Sequence, residues 1–120
     1  MSSPVHYNYD HDVDILYISF APGEQATTAV ELNNNILLRF NWEERRAVGV
    51  TLMDVSLLRA AAHGAGLPLD CLADLAPEWQ EVAIALLDSP QVSQALRQVG
   101  LDVDTRKGAV FGVGLDGLPE

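Results

Sequence analysis

Cysteine is almost absent from this chain, which contains one, Cys71, among 120 residues. A single thiol cannot form an intrachain disulfide and cannot supply a cysteine-based zinc cluster. Cys71 lies among leucines, and its charged neighbours in sequence are Asp70 and Asp74. Because a reactive thiol needs a lowered pKa, we expect a small buried thiol here.

Positive charge is scarce as well. Seven Lys and Arg residues stand against 17 Asp and Glu residues, which gives a formal net charge of −10. Nucleic acids and anionic membranes bind basic surfaces, so we expect neither as a partner. No apolar run is long enough for a membrane span, and the N-terminus lacks a basic region followed by an apolar one. We therefore expect a cytoplasmic protein.

The first half of the chain has the composition of β-strands. Runs rich in β-branched and aromatic residues predict strands at 15–20, 27–32, 36–42 and 48–53, with 5–9 as a candidate fifth. The connections between these runs are too short to hold crossover helices. The sequence therefore predicts an antiparallel β-meander.

The second half changes to helical patterns. Residues 56–62 predict a short helix, and Pro77 and the pair Ser89-Pro90 are typical starts of two further amphipathic helices. The tail at 108–115 is apolar and glycine-rich, and we expect it to add an edge strand or to dock on a partner.

The predicted fold class is α+β. An antiparallel β-meander of four to five strands is followed by a short helix and a mostly helical C-terminal half. We assign residues 1–66 to the meander domain. Residues 67–120 form a helical extension with the glycine-rich tail, which we expect to pack on the same core.

Two clusters of residues match the spacing of a known family pattern. They are Tyr9-Asp10, Asp14 and Leu16-Tyr17-Ile18 near the start, and Val48-Gly49-Val50 and Asp54-Val55-Ser56 at the end of the strands. Over about residues 7–57 the chain therefore resembles a small prokaryotic family known as domain of unknown function 2283. The resemblance implies a compact meander with a following helix and implies no reaction. The motif residues are Tyr9, Asp10, Asp14, Leu16, Tyr17, Ile18, Gly49, Asp54 and Ser56.

The chain departs from the family pattern at three strand positions. Thr51 stands where the family usually has Glu, and Arg39 and Asn41 occupy positions where members often carry acidic residues. No role of those carboxylates is therefore carried over to this chain.

The aspartates of the first motif raise the question of a metal site. Asp10, Asp12 and Asp14 have the spacing of the first three calcium-loop ligands, and His11 lies among them. A calcium loop also needs glycine at its sixth position and glutamate at its twelfth, where this chain has isoleucine and alanine. We interpret the aspartates as turn-formers before a strand and predict no metal and no cofactor.

Covalent catalysis has two candidate nucleophiles, Ser56 and Cys71. Neither has the glycine-flanked elbow that exposes a nucleophile on a sharp turn. Ser56 follows Asp54 directly before the short helix, so we expect it to be the N-cap of that helix. The sequence therefore predicts no catalytic residue.

The apolar stripes of the helical half need a surface to cover. They can pack on the open face of their own sheet, and edge strands with apolar patches also suit homodimerisation or partner docking. The interaction candidates are Trp79, Val82, Leu86, Val92, Leu96, Val99 and Phe111.

Three functional hypotheses follow from the sequence. The first is a non-enzymatic module that self-associates, with a dimer favoured, or binds another protein. The second is an antitoxin-like protein whose acidic charge neutralises a small basic toxin. The third is a metal-dependent enzyme that uses Asp10, Asp12, Asp14 and His11.

Overall fold

A computed structural model describes residues 5–113 of the chain. Five strands come first along the chain, and helices and short strands follow them. In chain order they are β1 (His6–Asp10), β2 (Ile15–Ser19), β3 (Thr28–Asn33), β4 (Ile36–Asn41), β5 (Arg46–Met53), α1 (Val55–His63), β6 (Leu67–Pro68), a 3-10 helix (Leu72–Asp74), α2 (Pro77–Asp88), α3 (Pro90–Gln98), β7 (Leu101–Asp104) and β8 (Ala109–Gly112).

The first five strands form one antiparallel sheet in the order β1-β2-β5-β4-β3. The predicted α+β class and the antiparallel meander of up to five strands are therefore confirmed. One step departs from sequential pairing, because β2 pairs with β5 instead of with β3. The meander proper runs from β3 through β4 to β5, and the hairpin of β1 and β2 adds to its far side.

A second, smaller sheet was not predicted. It has three strands in the order β6-β8-β7, and all of them lie in or next to the half that we expected to be mostly helical. Part of the glycine-rich tail forms β8, which is the central strand of this sheet and not an edge strand. The tail residues from 114 onward lie outside the described residues.

Side-chain alternation accounts for the strands of the large sheet. In β4, Ile36, Leu38 and Phe40 are fully buried, whereas the residues between them are half-buried. The turn before β4 is made by asparagines, as expected for residues that hydrogen-bond their own backbone. There the backbone N–H of Asn35 donates to Oδ1 of Asn33 over 2.8 Å.

Buried residues from both halves of the chain form one hydrophobic cluster. It joins Ile18 and Phe40 of the large sheet to Leu96 of α3 and to Leu101 and Val110 of the small sheet. The apolar face of the large sheet is thus covered by residues that follow it in sequence. Within residues 5–113, no helix is long and apolar enough to cross a membrane.

Candidate functional site

The two ends of the family motif meet in space at Asp14. The hydroxyl of Tyr9 donates a hydrogen bond to Oδ1 of Asp14 over 2.6 Å. The backbone N–H of Ser56 donates to Oδ2 of the same carboxylate over 3.0 Å, across 42 positions of sequence. Both carboxylate oxygens of Asp14 therefore accept a hydrogen bond, and these bonds connect the β1–β2 turn to the start of α1.

The backbone around Asp14 supports the same junction. Asp14 and Asp54 both have positive φ angles, 55° and 50°, which aspartate tolerates better than most residues. The backbone N–H of Val55 also donates to the carbonyl of Asp14 over 3.1 Å. Because the first N–H groups of a helix have no partner within it, Asp14 caps α1 from a distant turn.

The predicted role of Ser56 is wrong. The N-cap of α1 is Asp54, whose side chain makes no capping bond, and Ser56 is the second residue inside the helix. The missing local cap is replaced by the carboxylate of Asp14. A residue so remote in sequence gives no sign of this role in the local pattern around Ser56.

The hydrogen bonds at the junction stabilise the ionised form of Asp14. The Tyr9 hydroxyl, followed by the Ser56 backbone N–H, lowers the pKa of the Asp14 carboxyl. The same hydrogen bond to Asp14 raises the pKa of the Tyr9 hydroxyl. Asp14 is therefore a charged structural acceptor at neutral pH, and Tyr9 is its neutral donor.

The aspartates of the turn have different partners. Oδ1 of Asp10 accepts the backbone N–H of Asp12 over 3.0 Å, which is an Asx-turn. Among residues 5–113, no three His, Cys, Asp or Glu side chains are placed together to hold a metal ion. Asp10, Asp12 and Asp14 therefore do not converge as the calcium-loop spacing would require. His11 packs edge-on against the Tyr9 ring, with 4.7 Å between the ring centres.

A shallow cavity of about 420 Å³ lies beside the junction. Its charged lining groups are the carboxylate of Asp14 and the guanidinium of Arg59, and its walls are otherwise apolar or neutral. Among the described lining residues there is a serine, Ser56, but no histidine and no cysteine, so the cavity contains neither a Ser–His nor a Cys–His pair. The lining residues are Tyr9, Asp14, Leu16, Val55, Ser56, Arg59, Gln98 and Val99.

Cys71 has the environment of an unreactive thiol. It is half-buried, and burial, followed by the charge of Asp70, raises its pKa. The thiolate fraction at neutral pH is therefore reduced, which disfavours nucleophilic attack.

Most of the proposed interaction residues are buried inside the chain. Four of them, Val82, Leu86, Val92 and Leu96, belong to the hydrophobic core and have no surface to offer a partner. The prediction of an interaction role is therefore wrong for these four, which are core residues. The helices that carry these residues cover the large sheet. The apolar stripes therefore pack on their own sheet, which was the other possibility that the sequence left open.

The remaining interaction candidates are at least partly exposed. Trp79 is 37 % exposed and packs against Trp42, with 5.5 Å between the ring centres. The guanidinium of Arg45 lies 4.3 Å from the centre of the Trp42 ring. Val99 lines the cavity beside Asp14, and Phe111 is half-buried in β8.

The sequence predicted edge strands suited to association but did not identify the one that stands out most in the described structure, which is the outer edge of β1. All five residues of β1 are exposed, and β1 pairs on one side only, with β2. The pairing with β2 runs through five positions without a bulge. The edge contains neither lysine nor proline, the residues that commonly protect edge strands, and its one carboxylate is that of Asp10 at the end of the strand. The signal in the sequence is the composition of His6–Asp10, which indicates a strand but not which side of it stays unpaired.

The other edge of the large sheet, formed by β3, is covered at its C-terminal end. The backbone N–H of Cys71 donates to the carbonyl of Leu32 in β3 over 3.0 Å. The Asn33 side-chain amide donates to the carbonyl of Pro68 over 3.1 Å, and the register of β3 shifts between Glu31 and Asn33. Segments of the second half thus occupy hydrogen-bonding positions that a further strand would need at this end of β3.

The edges of the small sheet are also protected. β7 carries two carboxylates, Asp102 and Asp104, within four residues. β6 is only two residues long, and one of them is Pro68, which has no N–H to donate. Within residues 5–113, β1 is therefore the sheet edge with the fewest obstacles to pairing.

Removing the Asp14 carboxylate is expected to weaken the junction. We expect D14A to lower the melting temperature by several degrees at pH 7, because the Tyr9 hydroxyl and the Ser56 N–H lose their acceptor. The lowered pKa means that the charged carboxylate stabilises the fold above its unfolded pKa and loses this effect as the pH falls through its folded pKa.

Thermal melts of D14N across pH test the sign of this effect. The difference between wild type and D14N should be largest near neutral pH and should shrink below about pH 4. D12N is the matched control, since Asp12 contributes its backbone N–H to the turn. An equal loss in D12N and D14N would contradict the capping role.

The fold and the junction together define a small α+β protein whose motif closes a β-sheet onto the helix that follows. Residues 6–56 match the model of a family described as Protein of unknown function (DUF2283). The resemblance predicted from the motif is therefore confirmed for that segment. Neither the curated proteins nor the solved structures contain a match to the chain.

Proposed function

We propose that this protein is a non-enzymatic cytoplasmic module that self-associates through the free edge of its large sheet. The observation that carries the proposal is the contrast between β1 and the other sheet edges. An unpaired strand presents a row of backbone N–H and C=O groups that can bind another strand. Natural proteins commonly block such edges, and within the described part of this chain β1 is the edge with the fewest obstacles to pairing.

The surroundings of β1 support association in spite of the acidic charge. The chain carries a formal net charge of −10, so two copies repel one another at most orientations. A cavity of about 400 Å³ lies between Tyr7 of β1 and α3, and every described residue that lines it is uncharged. Two copies that meet at this edge therefore bring no like charges together along the lining of this cavity.

The proposed role is compatible with the site beside Asp14. That junction holds β1 and β2 against α1 through the Tyr9 hydroxyl. Since Tyr9 is a residue of β1, the junction also fixes the strand whose edge is free. A rigid edge loses less conformational freedom on pairing than a frayed one, which favours association.

A lysine at the centre of β1 is expected to abolish self-association. We expect wild type to have the solution mass of two chains and N8K to have the mass of one, measured by light scattering at the same concentration. Asn8 is the middle residue of the strand, and a charged side chain there opposes edge pairing. The loss in affinity should be at least tenfold.

The matched control places lysine on the opposite edge of the same sheet. Ala29 is an exposed residue of β3, at the edge that the proposed contact does not use, so A29K should keep the mass of wild type. A wild-type chain that is monomeric at high micromolar concentration would reject self-association. Loss of the dimer in both variants alike would place the contact elsewhere.

A further inference from the structure

We propose that the occupant of the β1 edge is a second copy of β1, antiparallel to the first, with a two-fold axis at Asn8. This inference rests on the proposed self-association and adds its register. The sequence of β1 is His-Tyr-Asn-Tyr-Asp, which is symmetric about Asn8 in its tyrosines. A two-fold axis at Asn8 therefore places like shapes opposite each other, with a basic side chain opposite an acidic one at each end.

The register follows from the pairing rule of antiparallel strands. Residues that lie opposite each other share a face of the sheet, and their side chains are in contact. Centring on Asn8 puts His6 opposite Asp10 of the second copy, twice in the dimer. It also puts Tyr7 opposite Tyr9 of the second copy, twice, on the other face.

The two faces of β1 are defined by its pairing with β2. Tyr7 and Tyr9 lie opposite Ile18 and Leu16, which are core residues, so the tyrosines project on the face that the helices cover. His6, Asn8 and Asp10 project on the opposite, open face. The aromatic pairs of the dimer would thus lie beside the helices, and the pairs of His6 with Asp10 would lie on the open face.

The helical side of the edge fits a second copy because it is neutral. Tyr7 is 42 % exposed, and α3 runs next to it with glutamines facing the same cavity. Neutral amides can hydrogen-bond their counterparts in the second copy, whereas carboxylates there would repel them. The residues that line this cavity are Val5, Tyr7, Pro90, Gln91, Gln94, Ala95 and Gln98.

Other arrangements of the two strands are disfavoured by charge. A parallel pair in register would place Asp10 opposite Asp10, and directly opposed like charges destabilise a strand pair. An antiparallel pair shifted by two residues would place Asn8 opposite His6 or opposite Asp10, so that these two ends of β1 would no longer face each other. In the arrangement centred on Asn8, His6 faces Asp10 of the second copy at both ends of the strand pair.

Two-fold pairing also limits the size of the assembly. An isologous contact uses the same surface of both copies, so each copy occupies the free edge of the other. Among the other sheet edges within residues 5–113, β3 is covered at its C-terminal end, β6 contains Pro68 and β7 carries two aspartates. The dimer is therefore closed, and the two 5-stranded sheets become one continuous sheet.

The register can be tested with two complementary variants, H6D and D10K. In H6D alone, the introduced carboxylate would face Asp10 of the second copy, and in D10K alone, the introduced ammonium would face His6 of the second copy. We expect each variant alone to dimerise about tenfold more weakly than wild type. Mixed in equal amounts, they should form a heterodimer, because the introduced ammonium then faces the introduced carboxylate and the remaining His6 faces the remaining Asp10.

The heterodimer is measured by native mass spectrometry, with thermal melts confirming that each variant is folded. The melts matter for D10K, since Asp10 also accepts the Asp12 backbone N–H. Recovery of dimer only in the mixture supports the register. A wild-type dimer that N8K disrupts, together with variants that show no complementation, rejects the register and leaves edge-mediated association standing. A monomeric wild type rejects both.

Discussion

Substituting alanine for Gly49 should lower the free energy of unfolding by about 2–3 kcal/mol, the cost typical of overpacking a close-packed site. Gly49 lies in β5, at the centre of the large sheet, and is buried. A Cβ at this position would come within 2.7 Å of the carbonyl oxygen of Ile18 and would also contact the Arg39 guanidinium. The carbonyl belongs to the neighbouring strand and cannot move without disturbing the pairing of β2 with β5.

The role of Arg39 makes this prediction more specific. Its side chain crosses the sheet over Gly49, and its Nε is buried without a hydrogen-bond partner among the described residues. Removing the guanidinium relieves one of the two contacts and leaves the Ile18 carbonyl in place. We therefore expect G49A to cost less in an R39A background, but still to be destabilising.

Urea unfolding of G49A, R39A and the double variant measures these differences. G64A is the control for a glycine-to-alanine change, because a Cβ on Gly64 would meet only ordinary contacts, the nearest at 3.5 Å. An unchanged midpoint for G49A would mean that the strands separate easily at this position. Such a result would also weaken the assignment of Gly49 as a packing residue of the family motif.

Truncating Leu96 in α3 is expected to cost about 3 kcal/mol, within the range observed for buried leucines. Leu96 is 1 % exposed and belongs to the core that joins α3 to the large sheet. If the two halves share one core, L96A should destabilise the first half as much as the second. Hydrogen exchange should then show β4 and β5 amides losing protection together with those of α2 and α3.

The control for this substitution is the same change on an exposed face. Leu57 in α1 is 70 % exposed, and L57A should alter stability by less than about 0.5 kcal/mol. If L96A leaves the protection of the sheet amides unchanged, the first half folds independently of the second. The boundary near residue 66 would then separate two units that unfold independently.

The sequence predicted the strands of the large sheet because their signals are local. Alternating burial in β4 and the asparagine turn before it both depend on residues within a few positions of each other. The pairing of β2 with β5 places Ile18 opposite Val50, far along the chain, and no local pattern encodes it. The short strands β6 and β7 were missed because runs of two and four residues are too brief to show a period.

The candidate site was predictable only in its components. The motif spacing identified Asp14 and Ser56, yet their contact spans 42 residues and reverses the role expected of the serine. The Asx-turn at Asp10 is local, and its chemistry was anticipated. The free edge of β1 is a property of the whole sheet, because the order of all the strands decides which strand lies outermost.

The hydrogen bond from Cys71 to Leu32 has a consequence for the segment that matches the family. In this chain the second half supplies the N–H group that pairs with β3 at Leu32. Residues 6–56 alone would leave the β3 edge open at Leu32 as well as the β1 edge, so this segment would present unpaired backbone groups on both sides of one sheet. The C-terminal half therefore shields part of a strand edge that the matched segment would expose by itself.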